Sequence, residues 1–99
     1  MFVLELTYTA SLDRIDAALP AHVEWLGRHY ADGTFLASGR KVPRDGGVIL
    51  ATGDDRAAIE AVTRTDPFVV DGLVEYTVTE FLATTVAPVL EAHRQRLPA

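Results

Sequence analysis

The sequence contains no cysteine and a single lysine, methionine and tryptophan. Without cysteine there is no disulfide, no thiolate nucleophile and no sulfur-ligated zinc or iron–sulfur centre. That pattern fits a reducing compartment, and a cytoplasmic location is expected. Cations are scarce: nine Lys and Arg stand against fourteen Asp and Glu, a net charge of −5. So acidic a chain has no broad positive surface to hold a phosphate backbone, which argues against nucleic acid as a partner. Long apolar runs are missing too. None approaches the ~20 residues a membrane span needs, and Glu5 interrupts the first apolar stretch, where an export signal would need an uncharged core.

What is present is the material of one globular domain. The 99 residues are 48% hydrophobic and 23% charged, close to the average for folded domains and far from disordered chains. Residues 2–9 alternate, with Phe2, Leu4, Leu6 and Tyr8 on one side, the period of a half-buried strand. Ser11 is a suitable N-cap and Asp13 suits a helix N-terminus. A short helical lead-in is expected there. A fresh helix with Pro20 in its first turn then runs to about Asp32, and the apolar stripe that Leu12, Ile15 and Leu19 begin continues through Val23, Leu26 and Tyr30. Gly33 closes it.

Residues 34–41 and 48–52 read as a hairpin around Pro43, Asp45, Gly46 and Gly47. Asp54 or Asp55 caps a second helix reaching Arg64, and Thr65-Asp66-Pro67 stops it, because the residue before proline leaves helical geometry. Asp71-Gly72 turns into a last strand over 73–82, and 86–97 are predicted to form a terminal helix that extends the domain formed by 1–83. The order βαββαβ is that of a ferredoxin-like α+β domain, a four-stranded antiparallel sheet with two helices on one face. Its other face carries mixed apolar and polar residues, so a second copy packed sheet to sheet is expected.

This topology gathers distant residues at one end. His22, at the start of the main helix, and Asp66, after the second, are 44 positions apart yet are placed on the same rim. His22 lies three residues from Leu19 and four from Leu26, on the inner side of its helix. An imidazole held by a carboxylate is a general acid/base; a buried histidine satisfied structurally is the competing reading. An Asp before Pro is also a common turn starter, and at a helix C-terminus its charge opposes the macrodipole, so a histidine partner would justify it. Ser38, Arg40 and Lys41 reach the same end, where the cations could hold a substrate carboxylate, although hairpin loops are also charged simply because they are solvated. Trp25 and His29 follow His22 at helical spacing and could line a pocket beside it. No third ligand joins the histidines at metal-binding spacing, so neither a metal nor a cofactor is expected.

Three segments, Ala21-His22-Val23-Glu24-Trp25-Leu26, Leu36-Ala37-Ser38-Gly39 and Asp66-Pro67-Phe68, resemble the YCII-like family of small bacterial proteins within the dimeric α/β-barrel group. The resemblance covers about residues 1–82, and Pro20 and the tail from Thr84 onward, which could add to the dimer or to a higher oligomer, depart from it. It implies a ferredoxin-like fold, dimerisation and an active site built on His22 and Asp66. It also implies lyase-like chemistry on small acidic molecules, including removal of chloride from chlorinated muconate-type products. Two functions follow as expectations: a cofactor-independent lyase or isomerase, or a non-catalytic metabolite- or protein-binding module in which the pair is structural. The cofactor-free monooxygenases of related barrels share the fold, and fold alone does not decide chemistry.

Overall fold

The computed structural model describes residues 1–98. Strand β1 (Phe2–Tyr8) is followed by helix α1 (Leu12–Ala31), the hairpin β2 (Phe35–Arg40) and β3 (Gly46–Ala51), helix α2 (Arg56–Thr63), a single turn α3 (Pro67–Val70) and strand β4 (Val74–Glu80). The strands form one antiparallel sheet in the order β2-β3-β1-β4. This is the ferredoxin-like arrangement expected from the pattern. Alternation in β1 sends Phe2, Leu4 and Leu6 to the helical side, where they join Ile49, Ala51 and Val74 from the sheet and Ile15, Trp25 and Ile59 from the helices. The Val, Leu, Ile and Phe side chains among them each contribute on the order of 1.5–3 kcal/mol when fully buried.

Two glycines have a geometric reason. Gly33 takes φ +83° just past α1, closed to most L-residues at low cost. Gly46 sits where a Cβ would fall 1.9 Å from the Leu6 carbonyl oxygen, so only a residue without a side chain lets β3 approach β1 there.

Three expectations are corrected. Helix α1 is continuous from Leu12 and carries Pro20 inside it, with no separate lead-in. Pro20 cannot donate to the Asp16 carbonyl, but both residues are exposed, so the freed acceptor lies on the solvent side. The expected stripe holds in part: Ile15 is buried and Leu19 and Leu26 pack against the core, whereas Leu12, Val23 and Tyr30 are exposed, Val23 by 54%, and Trp25 is buried in their stead. The terminal helix is reduced to a 3-10 segment, Pro88–His93, with no buried residue. Nothing there pays the ordering entropy of a longer helix, and Gln95 instead anchors the tail by accepting from the Ala83 N–H at 3.0 Å. No helix among the described residues is long and apolar enough to cross a membrane.

Candidate functional site

His22 lies in the middle of α1 rather than in a first turn, because the helix begins eleven residues before Val23. Its ring Nδ1 is 2.8 Å from Asp66 Oδ1. The sequence separation of 44 residues is closed by α1 packing against α3. Asp66 is fully buried and His22 is 8% exposed. Asp66 is the N-cap of α3, so its carboxylate faces a helix N-terminus instead of opposing a helix C-terminus, and Oδ1 accepts from the Phe68 N–H at 2.9 Å. Its second oxygen accepts from the Tyr76 hydroxyl at 2.6 Å.

All three groups around Asp66 act as donors to it, which decides the state of the imidazole. A carboxylate only accepts, so the proton of a neutral His22 sits on Nδ1 and Nε2 keeps its lone pair. Phe68 fixes the ring plane from below, stacked on it at 4.0 Å between centroids and 8° between planes. Trp25, packed behind at 5.6 Å, donates its indole N–H to Thr65 Oγ1 at 2.9 Å.

Burial and the Asp66 carboxylate together push the Tyr76 phenol far above its ordinary value. Its proton therefore stays on in the folded protein, while the unfolded chain releases it near pH 10. Stability from this residue is complete below that pH and falls above it, by about 1.4 kcal/mol per pH unit. Urea unfolding between pH 9 and 11 is expected to show a steeper alkaline loss in the wild type than in Tyr76→Phe; parallel curves would contradict the buried donor.

Beside His22 a cleft of about 140 Å³ opens between α1 and the sheet. Leu19, Val23 and Leu26 line it from the helix, Leu6, Tyr8 and Ile49 from the sheet, and Ser38 and Arg40 from the hairpin. Ser38 Oγ accepts from the Tyr30 hydroxyl at 2.6 Å. Arg40 makes no salt bridge with any carboxylate among the described residues. Arg44 is different: it is tied to Asp16 of α1, and that bond holds the Asp16 carboxyl below the usual carboxylate range.

Of the residues singled out in the sequence, His22, Ser38 and Arg40 therefore meet at the cleft, with Asp66 directly behind His22. Lys41 does not join them, since it pairs with Glu5, which the alternation of β1 puts on the opposite face of the sheet. Trp25 stands behind His22 and does not line the cleft. His29 is packed against Trp25 and Phe35, near Asp32 but without the alignment of a hydrogen bond. Tyr8, Phe68 and Tyr76 were not singled out. Their only sequence signal was a place on the inward face of a strand or inside the Asp-Pro-Phe turn, which core residues share. No group of three His, Asp or Glu side chains able to hold a metal ion occurs among the described residues.

A sequence profile of the YCII-related domain matches residues 1–82. The chain belongs to the YCII-related family. No curated protein matches it by sequence. Among solved structures, this YCII domain is similar to 5-chloro-2-hydroxyhydroquinone dehydrochlorinase from Burkholderia phenoliruptrix AC1100, in its complex with 2,5-dihydroxybenzoquinone. The TM-score is 0.68 at 17% identity, covering 82% of this chain and 93% of that one, a likeness of fold. The 3-10 tail lies outside the YCII match.

Proposed function

We propose that this YCII domain is a small cofactor-independent lyase or isomerase that moves a proton on an acidic, single-ring organic molecule. The observation that carries the reading is the fixed His22 ring: Nδ1 is committed to a fully buried carboxylate, and Nε2 is left to act at an apolar cleft. His22 Nε2 takes a proton from carbon or oxygen of the ligand, Asp66 stabilises the resulting imidazolium, and the electron pair released forms the new double bond as a leaving group departs. The same nitrogen returns the proton in an isomerisation.

Size supports a single ring, because a cavity of about 150 Å³ accommodates benzene and this cleft is of that order. Charge supports an acid. Arg40 is the cation at the cleft with no ion-pair partner of its own, so it is assigned to the ligand's anionic group. Arg40→Gln is expected to weaken binding of an anionic ligand about 10- to 100-fold, whereas Lys41→Ala, which disturbs only the Glu5 pair, leaves it unchanged. Titration calorimetry with 2,5-dihydroxybenzoquinone distinguishes the two. Equal weakening by both variants would remove the assignment.

The fold neighbour's name denotes loss of hydrogen chloride from a chlorinated trihydroxybenzene, an elimination of the proposed kind. The test is chloride release from 5-chloro-2-hydroxyhydroquinone by the wild type and by His22→Gln. The binding-module reading gains support from ligand binding without turnover. We also propose the sheet-to-sheet homodimer: Val48 is exposed and Leu50 half-buried on the helix-free face beside Val3, a sparse apolar surface that a second copy would cover. A monomeric mass by light scattering at micromolar concentration would count against it.

A further inference from the structure

We infer that Tyr76 is a positioning residue, which holds one oxygen of Asp66 so that the other stays aimed at His22. The inference rests on the proton-transfer reading and adds a residue that reading does not need for its chemistry.

The argument is geometric. Asp66 Oδ1 takes two donors, Phe68 N–H and His22 Nδ1, whereas Oδ2 takes one, the Tyr76 hydroxyl. The carboxylate torsion of aspartate is soft. Two bonds to the same oxygen define a point but leave the plane free to swing, and the Tyr76 bond is the third point that sets it. Tyr76 is suited to this task. It projects from the edge strand β4 at a position paired with Leu6 of β1, a strand paired on both sides, and its phenol has few rotatable bonds to order. It does not line the cleft, so it acts on a ligand only through Asp66 and His22. Without it, Oδ2 is an unpaired charged acceptor inside the protein, free to rotate toward any donor or to admit water.

The experiment uses the full chain labelled with 15N. The ring Nδ1–H of His22 is expected to give a protected resonance whose exchange with water is slow. In Tyr76→Phe that exchange accelerates about tenfold or more, the scale of one lost hydrogen bond to a charged group. Val78→Ala, a change on the same strand and face but without a bond to Asp66, lowers stability and leaves the exchange at the wild-type rate. Exchange in Tyr76→Phe within twofold of wild type would overturn the inference, and so would equal acceleration by Val78→Ala, which would mean simple loosening. Should Tyr76→Phe fail to fold, incorporation of 3-fluorotyrosine keeps the ring and strengthens the donor; an unmoved His22 Nδ1–H resonance then overturns the inference. Failure of the function reading is separate. It appears as turnover retained in His22→Gln, whatever the exchange rates show.

Discussion

Asp66→Ala is expected to cost about 3–5 kcal/mol of stability. The change leaves His22 Nδ1, the Tyr76 hydroxyl and the Phe68 N–H without their acceptor in an interior where Asp66 is 0% exposed. An unsatisfied buried donor costs about 1–3 kcal/mol, and the lost cap of α3 adds to it. Against the 5–15 kcal/mol by which small domains are stable, this is a large fraction. Asp66→Asn separates structure from chemistry. The amide oxygen, in the place of Oδ1, still accepts from Phe68 and from His22 Nδ1, and the NH₂ faces the Tyr76 hydroxyl, which must then accept, so the fold survives with a smaller loss. What is lost is the negative charge that would stabilise the imidazolium. Urea unfolding followed through Trp25, the single and buried tryptophan, reads both variants directly. A loss below about 1 kcal/mol in Asp66→Ala would mean that the carboxylate does not hold the site together.

His22→Gln should lower turnover by 10²- to 10⁴-fold, the usual contribution of a positioned acid/base, while the protein remains folded. Glutamine can still donate an amide N–H to Asp66, so the buried carboxylate keeps a partner. What it lacks is a group that gains and loses a proton near neutrality. The stack on Phe68 is also lost, and a fall of a few degrees in melting temperature is expected from that contact. Chloride release, or interconversion of a single-ring acid, measured beside circular dichroism separates these effects. Activity equal to wild type would end the proton-transfer mechanism. Wild-type binding with no turnover in either protein would favour the binding-module reading, with His22 and Asp66 as parts of the core.

The placement of the tail and of Pro20 shows where local reading stopped. Pro20 signals a break by its chemistry, yet its effect depends on whether the carbonyl it frees faces solvent, and that is a property of the helix's orientation on the sheet. Residues 86–97 have enough apolar side chains for a helix, but no residue of Pro88–His93 is buried against the domain. Lys41 and Arg40 are neighbours in sequence, and the alternation of an extended chain sends them to opposite faces, one to Glu5 and one to the cleft. Tyr76 looked like one more inward residue of a strand.

By itself the sequence determined the four strands, the two main helices and their order, because periods of two and 3.6 are written in nearest-neighbour spacing. It also determined that His22 faces inward and that Asp66 begins a turn. Only the tertiary structure decided that these two groups meet at 2.8 Å, that Asp66 caps α3, that Tyr76 supplies its third donor, and that Arg40 alone of the hairpin cations at 40 and 41 reaches the cleft. The physical reason is that hydrogen-bond partners across 10 or 44 positions are selected by how α1 and α3 pack on the sheet, a long-range outcome of burying the core that no local pattern encodes.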